Sequence, residues 1–500
     1  MNMMDRMIAA LAPRAALSRA RARAALMHYD AASVGRRLGT LRATGTDADA
    51  AANRRQRMAY VARDMVRNTP FATRAQQVIT NNTIGDGIVP RISGLPGDQQ
   101  DAMLKLIERV LDTTAIDAAG RQNLYGLQRL VMNSVVDAGE ALVVAEWQTP
   151  PYGPKQFPLK LRVLEPDFLD DSFDHQMMPD GGWVQNGIKY DGTGQRIAYR
   201  IFKRHPGADA YTSHGWTTAS EWVPARHVLH VYRVDRAGQE RGVTWFAPVV
   251  LTLQDHADYQ DAQIMRQKVA ACFAGFRSLP DTESPSTVPS MGGDIEPGLI
   301  QDLYGEETVT FSNPPDVGGY DEFTKVTLRS AAAALGLTYE ALTGDLSNVN
   351  FSSGRMGRME MDRSVSSWQW TMLVPQMLDP VGDWLLEAWS MQRPDMATVI
   401  RSARIEWVPP SRILVDPARE MRALKDAVRS GFTSRSAVVR GFGVDPERLL
   451  EEQTADQNAA DAAALIFDTD ARMKAPGSPG AASTVPAAPT APQKKDERNA

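Results

Sequence analysis

Apolar positions along this chain follow a helical period, then a strand period, then a helical one again. From Ala51 to Asn81, Met58, Val61, Met65 and Phe71 fall near one face, while Arg57, Arg63, Arg67 and Arg74 lie outside it, a pattern that predicts helix. Ile84-Gly-Asp-Gly-Ile88 then forces a turn, and helices are predicted over Asp101 to Asp112 and over Leu124 to Ala138, the second ended near Gly139. Between Ala141 and Val234 the pattern shortens to strands at Ala141 to Trp147, Leu159 to Val163, Gly187 to Tyr190, Arg196 to Phe202 and His227 to Val234. Asp191-Gly-Thr-Gly194 joins two of them as a hairpin, because glycine reaches positive φ without steric cost.

The helical period returns at Pro248 to Phe273, with Val250, Leu253, Ala257 and Ile264 on the apolar face and Asp255, Asp258 and Asp261 as an acidic stripe on another. Ser278 to Gly319 is dense in Pro, Gly, Ser and acid, with one strand-like piece at Glu307 to Phe311. A short helix is predicted over Tyr320 to Leu335, then a polar loop from Gly344 to Gly354 with glycine hinges at both ends. Arg355 to Gln392 reads as one helix of ~55 Å that Pro375 should kink or divide near Val374. Asp416-Pro417 and Asp445-Pro446 open two further helices, each with a capping carboxylate followed by proline at the first helical position, and Gly431 ends the first. From Lys474 the composition predicts a disordered tail. The fold class is α+β.

Composition narrows what such a chain does. No apolar run reaches the ~18 residues of a membrane helix, which predicts a soluble protein without membrane contact. One cysteine, Cys272, excludes an intramolecular disulfide and a cysteine-rich zinc site, and reads as a small core residue. The net charge of -5 is uneven: Met1 to Ala75 holds fourteen Arg and five Asp with no Lys, so a basic arm precedes an acidic body. Met1 to Leu26 superficially resembles a transit peptide, but the Arg-rich pattern continues to Arg57, which favours an exposed helical arm.

Catalytic signatures are missing: there is no Gly-Lys pair of a phosphate-binding loop, no His-Glu-x-x-His, no Gly-x-Ser-x-Gly and no Gly-x-Gly-x-x-Gly. Asp170, Asp171, Asp174 and His175 lack metal-ligand spacing and read as a hydrated acidic loop, and His227 and His230, three apart in a strand, read as structural. No enzyme activity, metal or cofactor is expected.

Several local sequences point to one family. They are His28-Tyr-Asp-Ala-Ala32, Gly35-Arg-Arg37, Ala62-Arg-Asp-Met-Val-Arg-Asn68, Gly187-Ile-Lys-Tyr-Asp-Gly192 with Ala198-Tyr-Arg200, and His230-Val-Tyr-Arg233 with Gly238-Gln-Glu-Arg-Gly-Val243. Asp258-Tyr-Gln-Asp-Ala262 and Leu335-Gly-Leu-Thr-Tyr-Glu340 continue the series. In this order the chain, from about Tyr29 to Leu465, resembles the lambda-type portal proteins of tailed bacteriophages.

The resemblance implies a homo-oligomeric ring, usually of twelve subunits, at the capsid vertex of the virion, assembled in the host cytoplasm. The ring would package and eject double-stranded DNA without sequence specificity, and would contact terminase, the major capsid or scaffold protein and the head-tail connector. It also implies a portal fold, mapped as a basic arm over 1–50, a mixed α/β wing over 51–245, and a first stem helix over 246–276. The clip would span 277–319, a second stem helix 320–340, the tunnel loop 341–354, a channel helix with its return segment 355–410, a helical crown 411–470 and the tail 471–500.

Physical chemistry agrees with a conduit. Several Lys or Arg per subunit, multiplied round a ring, would hold phosphates too tightly for sliding. Asp255, Asp258 and Asp261 would repel DNA, and Ser347, Asn348, Asn350, Ser352 and Ser353 would touch it weakly without reading sequence. Arg355 and Arg358 oppose a helix dipole, which points to a nearby phosphate or to a carboxylate, including one of the next subunit. Two alternatives stay open at this stage: a metal-dependent DNA-processing enzyme, and a capsid adaptor without a channel.

Overall fold

A computed structural model of the chain describes residues 48, 54–148, 157–173, 177–179, 181–207, 219–271, 275–279, 300–304, 319–410, 416–442, 444, 446–465 and 467. The expected amino-terminal arm (residue 48 apart), the Glu307 to Phe311 strand, the Asp445 cap and the tail from Lys474 lie outside these residues. Arg55 and residues 234–242 belong to one small unit, within which Gln239 accepts the Asp235 N–H (2.9 Å). Gln56–Arg233 and Val243 onward form the main unit.

The helical pattern of residues 51–81 is two helices, α1 (Arg55–Asn68) and α2 (Pro70–Ile84). Thr69 between them is extended (φ -109, ψ 117), because the residue before a proline is pushed out of the helical region, and Pro70 then sits where its missing N–H is not needed. Strand β1 (Val89–Ser93) leads to α3 (Gly97–Leu111) and α4 (Leu124–Ala138), which has the predicted bounds. Asn123 caps α4 by accepting the Gly126 N–H (2.9 Å). Gly139 ends it at φ 95, and a Cβ there would lie 2.4 Å from the Val243 backbone, so only glycine fits.

Strands β2 (Glu140–Trp147), β3 (Leu159–Leu164), β4 (Trp183–Gln185), β5 (Ile188–Tyr190), β6 (Arg196–Phe202), β7 (Ser220–Pro224) and β8 (Val228–Tyr232) follow. They make two antiparallel sheets, ordered β3-β2-β8 and β4-β5-β6-β7, and the predicted hairpin joins β5 to β6. Period-two alternation divides β2 between two cores. Ala141, Val143 and Ala145 join Val131 and Val135 of α4 in the main core, whereas Leu142 joins Ile188, Tyr199, Ile201 and Val228 in a second.

Helix α5 (Val250–Ala271) is followed by a parallel pair, β9 (Gly275–Leu279) and β10 (Ile300–Tyr304), and by α6 (Tyr320–Ala334). The two helices meet where Tyr259 stacks on Tyr320 (5.7 Å) and tilts against Phe323 (4.6 Å). Next come α7 (Tyr339–Thr343), α8 (Phe351–Trp368), a π-helical stretch Gln369–Leu378 and α9 (Asp379–Gln392). The long helix thus begins at Phe351, four residues before Arg355, and runs on through Pro375. The wider π turn, which shifts hydrogen bonding to the fifth residue, accommodates the missing proline N–H, so the helix does not divide near Val374.

Helix α10 (Ala397–Ser402) and β11 (Arg404–Val408) close the body, β11 pairing antiparallel with β1 (Val89 opposite Val408). Helices α11 (Pro417–Arg429), α12 (Arg435–Gly441) and α13 (Pro446–Ala462) follow, with the predicted Asp416 cap accepting the Arg419 N–H (3.2 Å). Among the described residues no helix is long and apolar enough to cross a membrane.

Candidate functional site

The segment before α8 is held by its own side chains. Thr338 accepts the Ala341 N–H (3.1 Å) to start α7, and Gly344, at φ 75, ends it by donating its N–H to Glu340 (2.8 Å). Asp345 accepts the Ser347 N–H (3.0 Å), the Ser347 hydroxyl (2.6 Å) and the Tyr339 hydroxyl (3.2 Å). The Ser347 bonds are the main reason its carboxyl titrates below the usual range. Asn350 Oδ1 accepts the Ser353 N–H (2.8 Å) while Ser353 Oγ accepts the Asn350 N–H (3.1 Å), a reciprocal cap that starts α8.

This geometry sorts the five polar residues singled out above. Ser347, Asn350 and Ser353 spend their groups on the loop itself. Asn348 and Ser352 are exposed and make no side-chain hydrogen bond among the described residues, so they are the pair free to meet an outside phosphate or water. Leu346 (67 % exposed) and Phe351 (50 %) flank them, an apolar rim that the polar composition did not suggest. Of the two expected hinges, Gly344 has the left-handed backbone that favours glycine, whereas Gly354 lies in the first turn of α8, where a Cβ would come 3.0 Å from Val349.

Arg358 pairs with Asp362 one turn on (3.0 Å), and Arg355 lies 3.8 Å from Glu420 of α11, so both cations that oppose the α8 dipole have carboxylates of the same chain. Arg74 of α2, placed by the sequence only off the apolar helix face, donates to the Ala341 carbonyl (3.3 Å). It borders a groove of about 410 Å³ with Asn82, Leu346, Val349 and Arg358.

On α5, Asp255, Asp258 and Asp261 are all exposed, and Asp258 accepts a bond from Gln254 (2.8 Å). Leu253 is buried as expected, but Ile264 is 50 % exposed together with Leu251 and Met265. His256, not singled out above, is buried against Phe71 (5.6 Å), and burial pushes its imidazole below the usual range.

Asp170, the first residue of the acidic loop, is buried and accepts from Arg200 (3.2 Å), Ser172 and Ser220. Asp171 is exposed, and Asp174 and His175 lie outside the described residues. Glu165, Asp167 and His205 bring ligand-type atoms within 4.8 Å of one another. Arg63 already sits 2.6 Å from Asp167 and 3.4 Å from Glu165, so a guanidinium meets that charge. Nearby, burial pushes the Asp137 carboxyl up to about 7. His230 joins Glu140 at 2.8 Å with both side chains sealed from solvent, while His227 ends a short 3-10 turn (Ala225–His227).

Exposed helix faces, an acidic stripe and a capped loop make up this part of the surface. Residues 34–369 match the family model described as "Phage portal protein, lambda family", and the chain belongs to that family. The sequence resemblance is thereby borne out, and with it a portal function at the capsid vertex.

Among curated relatives, the "Probable portal protein" of Halomonas phage phiHAP-1 is 26% identical over 418 residues, 79% of each chain. "Portal protein" of Escherichia phage N15 is 21% identical, covering 80% of this chain and 84% of its own. "Portal protein B" of Escherichia phage lambda is 20% identical, covering 80% and 83%. Among solved structures, a chain of "Neck of native GTA particle computed with C12 symmetry" is 16% identical with a TM-score of 0.42, covering 77% of this chain and 94% of that one.

Proposed function

We propose that the protein assembles as a closed homo-oligomeric ring, usually of twelve subunits as the family resemblance implies, and that double-stranded DNA passes through its centre during packaging and ejection. Family membership over residues 34–369 carries this reading, because the match runs from near the basic arm through α8. Exposed apolar side chains on the stem helices support it: Leu251 (77 %) and Met265 (60 %) on α5 and Val326 (65 %) on α6 gain burial only against another surface. The portal subdivision into wing, stem, clip, tunnel loop, channel helix and crown follows the boundaries given above, with terminase, the capsid or scaffold protein and the head-tail connector as partners.

Within the ring, Asn348 and Ser352 face the DNA, while Ser347, Asn350 and Ser353 keep the loop in shape. Uncharged groups exchange hydrogen bonds with phosphate and water at little net cost, so such a collar rests against moving DNA and lets go. The stripe of Asp255, Asp258 and Asp261 repels the duplex and keeps it sliding.

Replacing Asn348 and Ser352 with arginine tests the collar. Rings should form in normal yield, while packaging slows and DNA release becomes strongly salt-dependent as new phosphate contacts multiply round the ring. Packaging and release at the unmutated rate would refute the loop assignment.

A further inference from the structure

None of the described side chains of α11, α12 and α13 is buried. Yet α11 is amphipathic: Met421, Leu424 and Val428 recur at helical spacing on one face, with Met421 50 % exposed and Phe432, just past its end, 88 % exposed. Beside that apolar stripe runs a basic one, Arg422, Lys425 and Arg429, at the same spacing, and none of the three has an ion-pair partner among the described residues. The acidic Glu420 of the same helix turns away from it toward Arg355.

Charge is divided between these helices. α11 and α12 together carry six basic side chains against two acidic ones, whereas α13 carries five acidic against one basic. Among the described residues no ion pair is seen between the basic side chains of α11 and α12 and Glu451 or Asp456 of α13. The bond recorded between α12 and α13 is Arg435 to Gln453 (2.6 Å), and Glu451 and Asp456 of α13 have no partner among the described residues. Leu450 beside Glu451 is 58 % exposed.

We propose that α11 of one copy docks on α13 of the next copy, its apolar stripe covered by Leu450 and its neighbourhood and its basic stripe met by Glu451, Glu452 and Asp456. The occupant is a second copy of this chain because the two complementary charge patterns are carried by one polypeptide, and Arg422, Lys425 and Arg429 on one side and Glu451 and Asp456 on the other form no ion pair among the described residues. A contact of α11 with α11 would set basic stripe against basic stripe, whereas α11 of one copy on α13 of the next matches opposite signs and, repeated head to tail, continues round the ring. The proposal rests on the ring reading and assigns to it a contact and a polarity.

Two full-length variants test it. One carries Arg422→Glu, Lys425→Glu and Arg429→Glu; the other carries Glu451→Lys, Glu452→Lys and Asp456→Lys. Each alone sets like charges against each other at every contact and should give roughly tenfold fewer rings than the unmutated chain. Co-expressed with different affinity tags, they should restore rings to near the unmutated yield, with both tags in every ring, since each reversed face then meets its opposite. Circular dichroism checks that each variant keeps its helix content.

Rings that form as readily from either variant alone, or a mixture no better than its components, would overturn the contact. In both cases the rings of the unmutated chain would leave the ring reading standing. An unmutated chain without rings would instead overturn the ring reading, and this contact with it.

Discussion

Strand β2 and helix α11 are opposite answers to the question of where an apolar face goes. β2 is covered on both sides within the chain, Val143 toward the main core and Leu142 toward the second, and its Glu140 is sealed against His230. α11 has an equally regular apolar stripe but seals none of it fully: Met421 is exposed, and Leu424 and Val428 are only half-buried. A region whose surfaces are all matched internally sets the stability of the single chain; one whose surfaces are unmatched has its interactions completed by assembly.

That contrast orders the expected effects of substitution. The largest is at β2: Val143→Asp places an unpaired carboxylate in the main core and should cost more than about 4 kcal/mol, read as loss of the cooperative unfolding transition. Glu140→Ala comes next, at about 3 kcal/mol, because it leaves the buried His230 without its carboxylate. A denaturation midpoint close to the unmutated value would show that the pair is not part of what holds β2 to β8.

Asp137 gives a pH dependence with a definite sign. Its folded pKa of about 7 lies above the ordinary carboxylate value, so its favourable contribution is present at low pH and is lost as pH rises through 7. Asp137→Asn should therefore leave stability at pH 4 nearly unchanged and raise it at pH 8 by about 1 to 2 kcal/mol after solvent screening. Melting curves at the two pH values decide it, and a gain of equal size at both would contradict the assignment.

The smallest effect on the single chain is expected at the exposed end of the comparison. Met421→Asp should change the stability of the unassembled chain by no more than about 0.5 kcal/mol. The same substitution should lower ring yield, measured by light scattering at fixed protein concentration. Equal ring yield would mean that the α11 stripe stays solvated in the assembly.

What the sequence makes legible is local. The bounds of α4, the β5–β6 hairpin and the Asp416 cap follow from signals within a few residues of the element itself. The pairing of β1 with β11 is not legible: Pro90 interrupts a strand pattern, and the partners, Val89 and Val408, lie far apart in the chain. Pro375 signals an interrupted helix, but whether the chain breaks or widens there depends on packing from residues remote in sequence.

The loop was legible in composition and not in allocation. Asn350 and Ser353, three apart at the start of a helix, carry the spacing of a reciprocal cap, and that signal could have separated them from Asn348 and Ser352. The Arg63 network was hidden because its carboxylates come from β-rich segments about a hundred residues later.

The most direct test of the portal account is an electron-microscope class average of the purified full-length chain. It should show rotational symmetry about an axial hole wide enough for a DNA duplex. Particles of single-chain or dimer size, or closed assemblies without a hole, would contradict it.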